Sequence, residues 1–278
     1  MNICHLTWNE RLPTAQHAQV LAAFAGRVSG LCQVGNISPW LNITSPLALG
    51  NETEFWLTPA TITRGHTDLC HWAHADGLLV GVIELDTTGD NICHLAEQAY
   101  RQLLTVAQAQ QHPHLIRIWQ YFDGINEGAG DEERYRQYTL GRSRAITGTF
   151  SAQQMPAATA IGGIPPVLQL VFMASTTLGI SIENPRQVSA YHYPRDYGPI
   201  APAFARATYH NGRLWVSGTA SVVGHESVHV DNCAAQIAEI EHNLAALLAQ
   251  AQTQLNQTFT AQALIGYARH EHDVPLLR

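Results

Sequence analysis

The feature that most constrains the fold is an internal repeat. Two amphipathic helices are predicted, over residues 91–110 and residues 231–252; each begins near an Asx-Cys pair and ends in an Ala/Gln-rich tail. Asp90 or Asn91 and Asp231 or Asn232 are the expected N-caps. The apolar residues that recur at helical spacing are Leu95, Ala99, Leu103 and Val106 in the first helix, and Ile237, Ile240, Leu244 and Leu248 in the second.

Strands are predicted on both sides of each helix. Residues 77–89 and 212–224 precede the helices, and residues 114–125 and 263–274 follow them. Because each half reads as strand, helix, strand, the sequence predicts an α+β fold of two related halves, each a mixed β-sheet with helices on one face. The predicted domains are residues 1–150 and 151–278.

The two copies differ at their ends. The first half continues into a further predicted helix over residues 131–142 and then a strand, whereas the second half stops at Arg278. Internal symmetry therefore predicts that this chain is truncated and lacks a helix and a strand. Natural divergence of the second copy is the alternative.

The basic side chains of this sequence are all arginines, 15 in number, and lysine is absent. This excludes mechanisms that need a lysine Schiff base, including those that use pyridoxal phosphate. Arginine has a planar guanidinium that suits carboxylates and phosphates. The formal net charge of −7 makes nucleic acid and anionic lipid poor partners.

The five cysteines are scattered and form no CxxC motif. Such a set is typical of reduced thiols, so a cytoplasmic location is expected. The N-terminal sequence lacks the pattern of a signal peptide, and no apolar run approaches the ~20 residues of a membrane span.

The segment from His225 to His229 matches HExxH, the pattern of zinc hydrolases, with Glu226 as the general base. That chemistry needs both histidines on one face of a helix. Here Gly224 precedes the motif and histidine alternates with valine, which favours a loop between a strand and a helix. His225 and Glu226 then become candidates for lining a pocket.

Two other segments are candidates for binding an acid. Arg142 follows Tyr135 and Tyr138 on a predicted helix, with Gly141 as an expected C-cap, and an arginine beside tyrosines suits a carboxylate. Residues 181–221 combine an aromatic, turn-rich loop with Arg206 and Tyr209. They end in a run of small residues, Gly218, Thr219 and Ala220 among them, which lets a ligand approach the backbone closely.

Residues 114–146, 181–208 and 214–229 resemble the chorismatases, sequences that have also been labelled pteridine-dependent dioxygenases. The likeness covers most of residues 112–278 and, more weakly, the first 110 residues. It implies a fold of two related halves, of which the C-terminal half is similar to the small YjgF/Rid proteins. It also implies cleavage of chorismate, without a cofactor, into pyruvate and either a hydroxybenzoate or a dihydroxy-cyclohexadiene carboxylate.

The resemblance also assigns roles to residues. Arg142, Arg206 and Tyr209, with Tyr135, are expected to hold the substrate's carboxylates; Gly218, Thr219 and Ala220 are expected to lie against its ring, with His225 nearby. In the chorismatases the general-acid glutamate belongs to a C-terminal pattern, Cys-Arg-x-Asp-Leu-Leu-x-Glu-Ile-Glu, that this sequence does not contain. Glu226 is the remaining candidate acid, although it belongs to a different motif.

Three functions stay open at this point. The first is a chorismatase in truncated form, the second is a non-catalytic Rid-like protein that binds small acids, and the third is a zinc hydrolase. No metal or cofactor is expected for the first two. A monomer or a homotrimer is expected, because Rid-like units associate as trimers.

Overall fold

The computed structural model describes residues 2–7, 19–25, 41–44, 52–89 and 91–277. Within these residues the α-helices are α1 (Ile92–Ala109), α2 (Arg134–Ile146) and α3 (Cys233–Leu255). The strands are β1 (Asn2–Thr7), β2 (Gln19–Ala25), β3 (Leu41–Thr44), β4 (Glu52–Thr58), β5 (Thr63–His66), β6 (Cys70–Ala75), β7 (Leu78–Asp86), β8 (His114–Asp123), β9 (Ala157–Gly163), β10 (Val167–Ser175), β11 (Ile180–Ile182), β12 (Ala207–His210), β13 (Arg213–Val216), β14 (Val222–Val223) and β15 (Glu226–Ser227). Short 3-10 helices cover Gly130–Glu132, Ala152–Gln154, Ala190–His192, Arg195–Tyr197 and Glu271–Leu277.

Strands β5 to β10 form one sheet with the order β5-β6-β7-β10-β8-β9. β10 lies between β7 and β8 and is antiparallel to both, whereas β9 is parallel to β8 at the sheet edge. The sequence of β10, VLQLVFMAS, is a nearly continuous apolar run, and every residue after Val167 is buried. Such a run is typical of a strand that is covered on both faces.

The two faces of this sheet pack against different partners. One face packs on α1 and α2 in a large apolar core that includes Leu103, Phe122 and Phe172. The other face contacts Trp56 of β4, which belongs to a second sheet with the order β1-β4-β2-β3. Mixed sheets with helices on one face confirm the predicted α+β class.

Helix α1 forms where it was predicted. Asn91 is its N-cap, because its side chain accepts a hydrogen bond from the backbone N–H of Cys93 at 2.9 Å. The predicted apolar face is buried, as expected, at Leu95, Ala99, Leu103 and Val106.

Helix α2 passes very close to α1 at Gly141. A Cβ atom at this position would lie 1.9 Å from the carbonyl oxygen of Cys93, so a larger residue would push the helices apart. The expectation that Gly141 is a C-cap was wrong, since the helix continues to Ile146. Glycine is needed here for close packing rather than for a left-handed turn.

Helix α3 packs on the three-stranded antiparallel sheet β11-β12-β13. Its N-cap is Asn232, one of the two candidates that the sequence offered, but the buried row differs from the predicted face. The predicted residues Ile237, Ile240, Leu244 and Leu248 are half-buried. The fully buried residues are Asn243, Leu247 and Ala251.

The buried amide of Asn243 explains this register. Its Nδ2 donates to the carbonyl oxygens of Ala220 at 3.1 Å and Val222 at 2.9 Å, and its Oδ1 accepts from Arg186 at 2.8 Å. An amide buried without partners would destabilise the fold. The helix therefore packs with Asn243 inward, where it holds the segment between β13 and β14.

The strand predicted over residues 263–274 was wrong. This segment is irregular and then enters the 3-10 helix Glu271–Leu277, with Leu264 and Ile265 exposed. None of the described strands pairs with it, and an unpaired strand in water is not stable. Tyr267 instead reaches β8, where its hydroxyl lies 3.1 Å from that of Tyr121.

The division of the chain at residue 150 stays a prediction. Strands β9 and β10 follow this position and pair within the six-stranded sheet. A boundary that leaves this sheet intact would therefore follow Ser175.

Among the helices that the structure describes, none combines the length and apolar character needed to cross a bilayer.

The substitution Gly141→Ala tests the close approach of α1 and α2. Alanine normally favours a helix over glycine by about 1 kcal/mol. Here the methyl would overlap the Cys93 carbonyl, and overpacking typically costs about 1–3 kcal/mol. We expect a net loss of up to roughly 2 kcal/mol in the free energy of unfolding, measured by urea denaturation, and no loss for Ser143→Ala on the same helix. A gain in stability for Gly141→Ala would contradict the packing.

His210 makes the stability dependent on pH. Its Nε2 lies 2.9 Å from the hydroxyl oxygens of Ser175 and Thr177, so it links β12 to the end of β10. Burial lowers the pKa of His210 from its ordinary value of 6.5. As the pH falls below 6.5 the unfolded chain gains a proton that the folded chain resists, so the free energy of unfolding decreases.

His210→Gln isolates this effect, because glutamine keeps a hydrogen-bonding group but does not titrate. We expect the urea midpoint of the wild type to fall more steeply than that of the variant between neutral pH and a pH below 6.5. Parallel curves for the two proteins would show that His210 does not carry the effect.

Candidate functional site

Helix α2 buries an arginine at the edge of the large apolar core. Arg142 is only 3% exposed, and its Nε and Nη2 atoms have no hydrogen-bond partner within the described part of the chain. It lines a narrow cavity with room for about one water molecule. The other lining residues are Tyr100, Leu115, Ile118, Ile146, Phe150, Met155, Pro156, Ala158 and Ala203.

The charge of Arg142 is surrounded by tyrosines rather than by carboxylates. Burial opposes the charge, but Tyr100, Tyr135 and Tyr138 outweigh it, so that the pKa of Arg142 is raised. Burial raises the pKa of Tyr100 and raises that of Tyr138 well above the ordinary value. The cavity therefore contains a permanent cation beside neutral phenols.

The two buried tyrosines are held by Gln120 of β8. Their hydroxyls both donate to Oε1 of Gln120, from Tyr100 at 2.7 Å and from Tyr138 at 2.5 Å. The Nε2 atom of Gln120 donates to the backbone carbonyl of Thr159 at 2.9 Å. One side chain thus joins α1, α2, β8 and β9 beneath the cavity.

A second arginine, Arg206, lies just before β12 and is 7% exposed. Its Nη2 donates to the carbonyl of Val188 at 2.7 Å and to the hydroxyl oxygen of Tyr193 at 3.0 Å. Its guanidinium also lies over the rings of Phe204 and Tyr193, 5.2 Å and 5.7 Å from their centroids. The Nε atom is buried and has no partner among the described residues.

A carboxyl group, Glu183, adjoins this arginine. Its Oε1 accepts a hydrogen bond from the backbone N–H of Arg206 at 3.4 Å. Burial raises the pKa of Glu183 despite the opposing effects of Ser189 and Arg206. A raised pKa keeps a carboxylic acid protonated to a higher pH, which suits a proton donor.

The aromatic loop of residues 191–199 is fixed at both sides. Arg195 forms a bidentate ion pair with Asp131, with N–O distances of 2.9 Å and 2.5 Å. The hydroxyl of Tyr197 lies 3.2 Å from Nδ1 of His225, and the ring of Tyr193 packs on both of these side chains. These contacts hold the loop against the 3-10 helix Gly130–Glu132 on one side and against His225 on the other.

The two arginine environments are adjacent along one segment. Ala203 lines the cavity of Arg142, and the next residue, Phe204, stacks on the guanidinium of Arg206. Both residues pack against the apolar core. The structure therefore brings Arg142 and Arg206 to neighbouring parts of one region, with Tyr135 near the first and His225 near the second.

The remaining predicted residues lie elsewhere in this region or outside it. The hydroxyl of Tyr209 donates to Gln257 at 2.8 Å and its ring packs on Phe259, so it shares no partner with Arg206. Gly218 donates its N–H to the carbonyl of Ala158, which also lines the cavity. Gly218 and Ala220 are exposed, and Thr219 is half-buried.

The HExxH segment has no zinc-site geometry. It forms the hairpin β14–β15 and a turn before α3, with His229 at φ 61°, so the interpretation as a loop is confirmed. His225 contacts Tyr197, whereas His229 lies 3.4 Å from Glu239 of α3, and Glu226 is exposed. Across the residues that the structure describes, no group of three or more His, Cys, Asp or Glu side chains is arranged to hold a metal ion.

Several residues of this region escaped the sequence analysis. Tyr100 and Gln120 belong to segments that were identified only as a helix and a strand, and Glu183 lies within the candidate segment 181–221 but was not singled out. Tyr138 and Arg142 carry a usable signal, because residues four apart share a helix face. The partners of Gln120 come from positions far apart in the chain, so no local pattern indicates them.

Comparisons with known proteins find one matching family and several similar sequences. Residues 54–174 match the family described as "Chorismatase FkbO/Hyg5-like, N-terminal". A chorismatase of Streptomyces hygroscopicus is 34% identical over 203 residues, which cover 70% of this chain and 59% of the relative. A 3-hydroxybenzoate synthase of the same organism is 33% identical over 255 residues, covering 86% of this chain and 74% of the relative.

A solved structure is also similar over nearly the whole chain. The crystal structure of a chorismatase superposes with a TM-score of 0.84 at 26% identity, covering 99% of this chain and 87% of the other. The YjgF/Rid-like character of the C-terminal half stays a prediction. A chorismatase of Streptomyces rapamycinicus is 31% identical over 240 residues and is covered over 72% of its length, so this chain belongs to the chorismatase family.

Proposed function

We propose that this protein cleaves the enolpyruvyl ether of chorismate and releases pyruvate. The observation that carries the proposal is Arg142, a buried cation without an acidic partner that lines a cavity. A buried charge without a partner is strongly destabilising. A bound carboxylate would supply the missing partner through charge-assisted hydrogen bonds to the unused Nε and Nη2 atoms.

The cavity has to widen for a carboxylate to enter. Met155 is the lining residue best suited to move, because its side chain is unbranched and flexible. The rest of the ligand would lie towards Ala203 and the small-residue segment at Gly218, outside the narrow part. This position corresponds to the predicted contact of residues 218–220 with the substrate ring.

Arg206 is the proposed partner of the second carboxylate. Chorismate carries one carboxylate on the ring and one on the enolpyruvyl group, so two separate cations fit it better than one. The Nε atom of Arg206 is unused, and the guanidinium is held in place by Tyr193 and Phe204. Holding both ends of the substrate fixes the reacting carbon relative to an acid.

The reaction needs a proton at the methylene carbon of the enol ether. Protonation converts the methylene into a methyl group and leaves an oxocarbenium ion, which water captures to give a hemiketal; this collapses to pyruvate and the ring alcohol. Capture by the neighbouring ring hydroxyl instead gives a cyclic ketal. Breakage of one ring C–O bond with loss of a ring proton then makes the ring aromatic, and the remaining hemiketal collapses to pyruvate and a hydroxybenzoate. Glu183 lies beside Arg206, and its burial raises its pKa. It joins Glu226 as a candidate acid.

A coupled assay for pyruvate tests the proposal. Purified protein is incubated with chorismate, and the release of pyruvate is followed with lactate dehydrogenase and NADH against a heat-denatured sample. We expect the wild type to release pyruvate well above the uncatalysed rate. Of the variants Glu183→Gln and Glu226→Gln, the one that removes the acid should lose more of this activity than the other. The absence of release would overturn the catalytic proposal.

The second candidate function is a non-catalytic protein that binds small acids. It is favoured by the same unpaired Arg142, which binds a carboxylate whether or not an acid is in place. Chorismate that raises the melting temperature without releasing pyruvate would support this candidate. Chorismate that does neither would exclude both.

Arg142→Gln separates binding from folding, with Arg144→Gln as the matched control on an exposed position of the same helix. Losing one partner of a buried charge pair costs about 2–5 kcal/mol of binding, so we expect the dissociation constant for chorismate to rise at least about thirtyfold. Removing an unpaired buried charge should leave the melting temperature of the free protein unchanged or raise it. Equal affinities for the two variants would contradict the proposed role of Arg142.

A further inference from the structure

The orientation of the Gln120 side chain follows from its partners. The carbonyl oxygen of Thr159 can only accept a hydrogen bond, so the atom of Gln120 that faces it is the amide nitrogen. The amide oxygen then faces Tyr100 and Tyr138, and both phenols must donate to it. Gln120 is 1% exposed, so water does not compete for these bonds.

This arrangement uses the single hydrogen of each phenol. Neither Tyr100 nor Tyr138 can therefore donate towards the cavity, and each offers only the lone pairs of its oxygen. Arg142 follows Tyr138 by one turn of α2, and the phenols of Tyr100 and Tyr138 both favour its charged form. Of the side chains that line the cavity, only those of Tyr100 and Arg142 are polar.

We propose that Gln120 is a positioning residue for anion binding: it holds the protons of Tyr100 and Tyr138, so that their oxygens face Arg142 and the guanidinium stays the donor for a carboxylate. This inference rests on the proposed function, because it concerns the same cavity. It assigns a role to a residue that does not itself line the cavity.

The neutrality of Gln120 is essential to this role. A carboxylate at position 120 would accept the same two phenol hydrogens, but its negative charge would compensate Arg142 and weaken the attraction for a ligand anion. In a protein interior such a charge changes the affinity on the order of a hundredfold. An amide supplies the acceptor without the charge.

Gln120→Glu tests the inference through pH. A protonated glutamate has one O–H, which replaces the amide donor to Thr159, and one carbonyl oxygen, which accepts from both tyrosines; it therefore mimics glutamine. An ionised glutamate loses the donor and adds the charge. We expect the affinity of the variant for benzoate, measured by calorimetry between about pH 5 and about pH 8, to fall at least tenfold more than that of the wild type as the pH rises.

The outcomes of this titration are distinct. If Gln120 had only a structural role, Gln120→Glu would lower the melting temperature and the affinity for benzoate equally at every pH. A variant with the same pH dependence as the wild type would therefore overturn the proposed role of Gln120. If the wild type binds neither benzoate nor chorismate, the cavity is not an anion site, and the proposed function is wrong as well. If the wild type binds benzoate but the affinity of Gln120→Glu shows no added dependence on pH, only the role of Gln120 is wrong and the proposed function stands.

Tyr138→Phe keeps the inference testable if Gln120→Glu does not fold. The substitution preserves the ring, which stacks on Phe122 with centroids 4.7 Å apart, and removes only the hydroxyl. Arg142 would lose the favourable electrostatic effect of one phenol in the free protein, so a bound anion would be favoured more. We expect benzoate to bind at least about threefold more tightly. Weaker or equal binding would overturn the inference.

Discussion

The insertion of β10 between β7 and β8 is the constraint on which the rest of the structure depends. β10 follows α1, β8, α2 and β9 in the chain, yet it pairs along its whole length with strands that precede it. The six-stranded sheet therefore joins strands from both ends of the segment between residues 63 and 175. Because β10 is apolar throughout, both faces must be covered, by the helices on one side and by the sheet of β4 on the other.

This sheet also fixes the position of the site. β8 pairs with β10 on one side and with β9 on the other, and Gln120 of β8 reaches both helices that cover the sheet. Gly141 lets those helices approach closely, which places Arg142 between them and the sheet. A cation in such a place is stable only because phenol oxygens and, as proposed, a ligand carboxylate compensate its charge.

The second part of the candidate site is formed around Arg206 by a loop. Arg206 is held by backbone and aromatic groups of the loop around Tyr193, and this loop is attached to the start of α2 by the pair Arg195–Asp131. Asn243 of α3 holds the small-residue segment from below through the carbonyls of Ala220 and Val222. Rigid elements from both halves thus support a region in which the binding groups themselves lie on loops and helix faces.

The sequence by itself determined the α+β class and the positions of α1, α2 and α3, and it singled out the arginines that we propose to bind the substrate's carboxylates. Helical periodicity and N-caps are local properties, and Asn91 and Asn232 mark the helix starts without any tertiary information. Only the tertiary structure decided which face of α3 is buried, that residues 263–274 form no strand, and that the hydroxyl of Tyr209 donates to Gln257. These outcomes depend on the partners that long-range packing brings, as Asn243 and Gln120 show: a hydrogen bond between distant residues leaves no periodic trace in the chain.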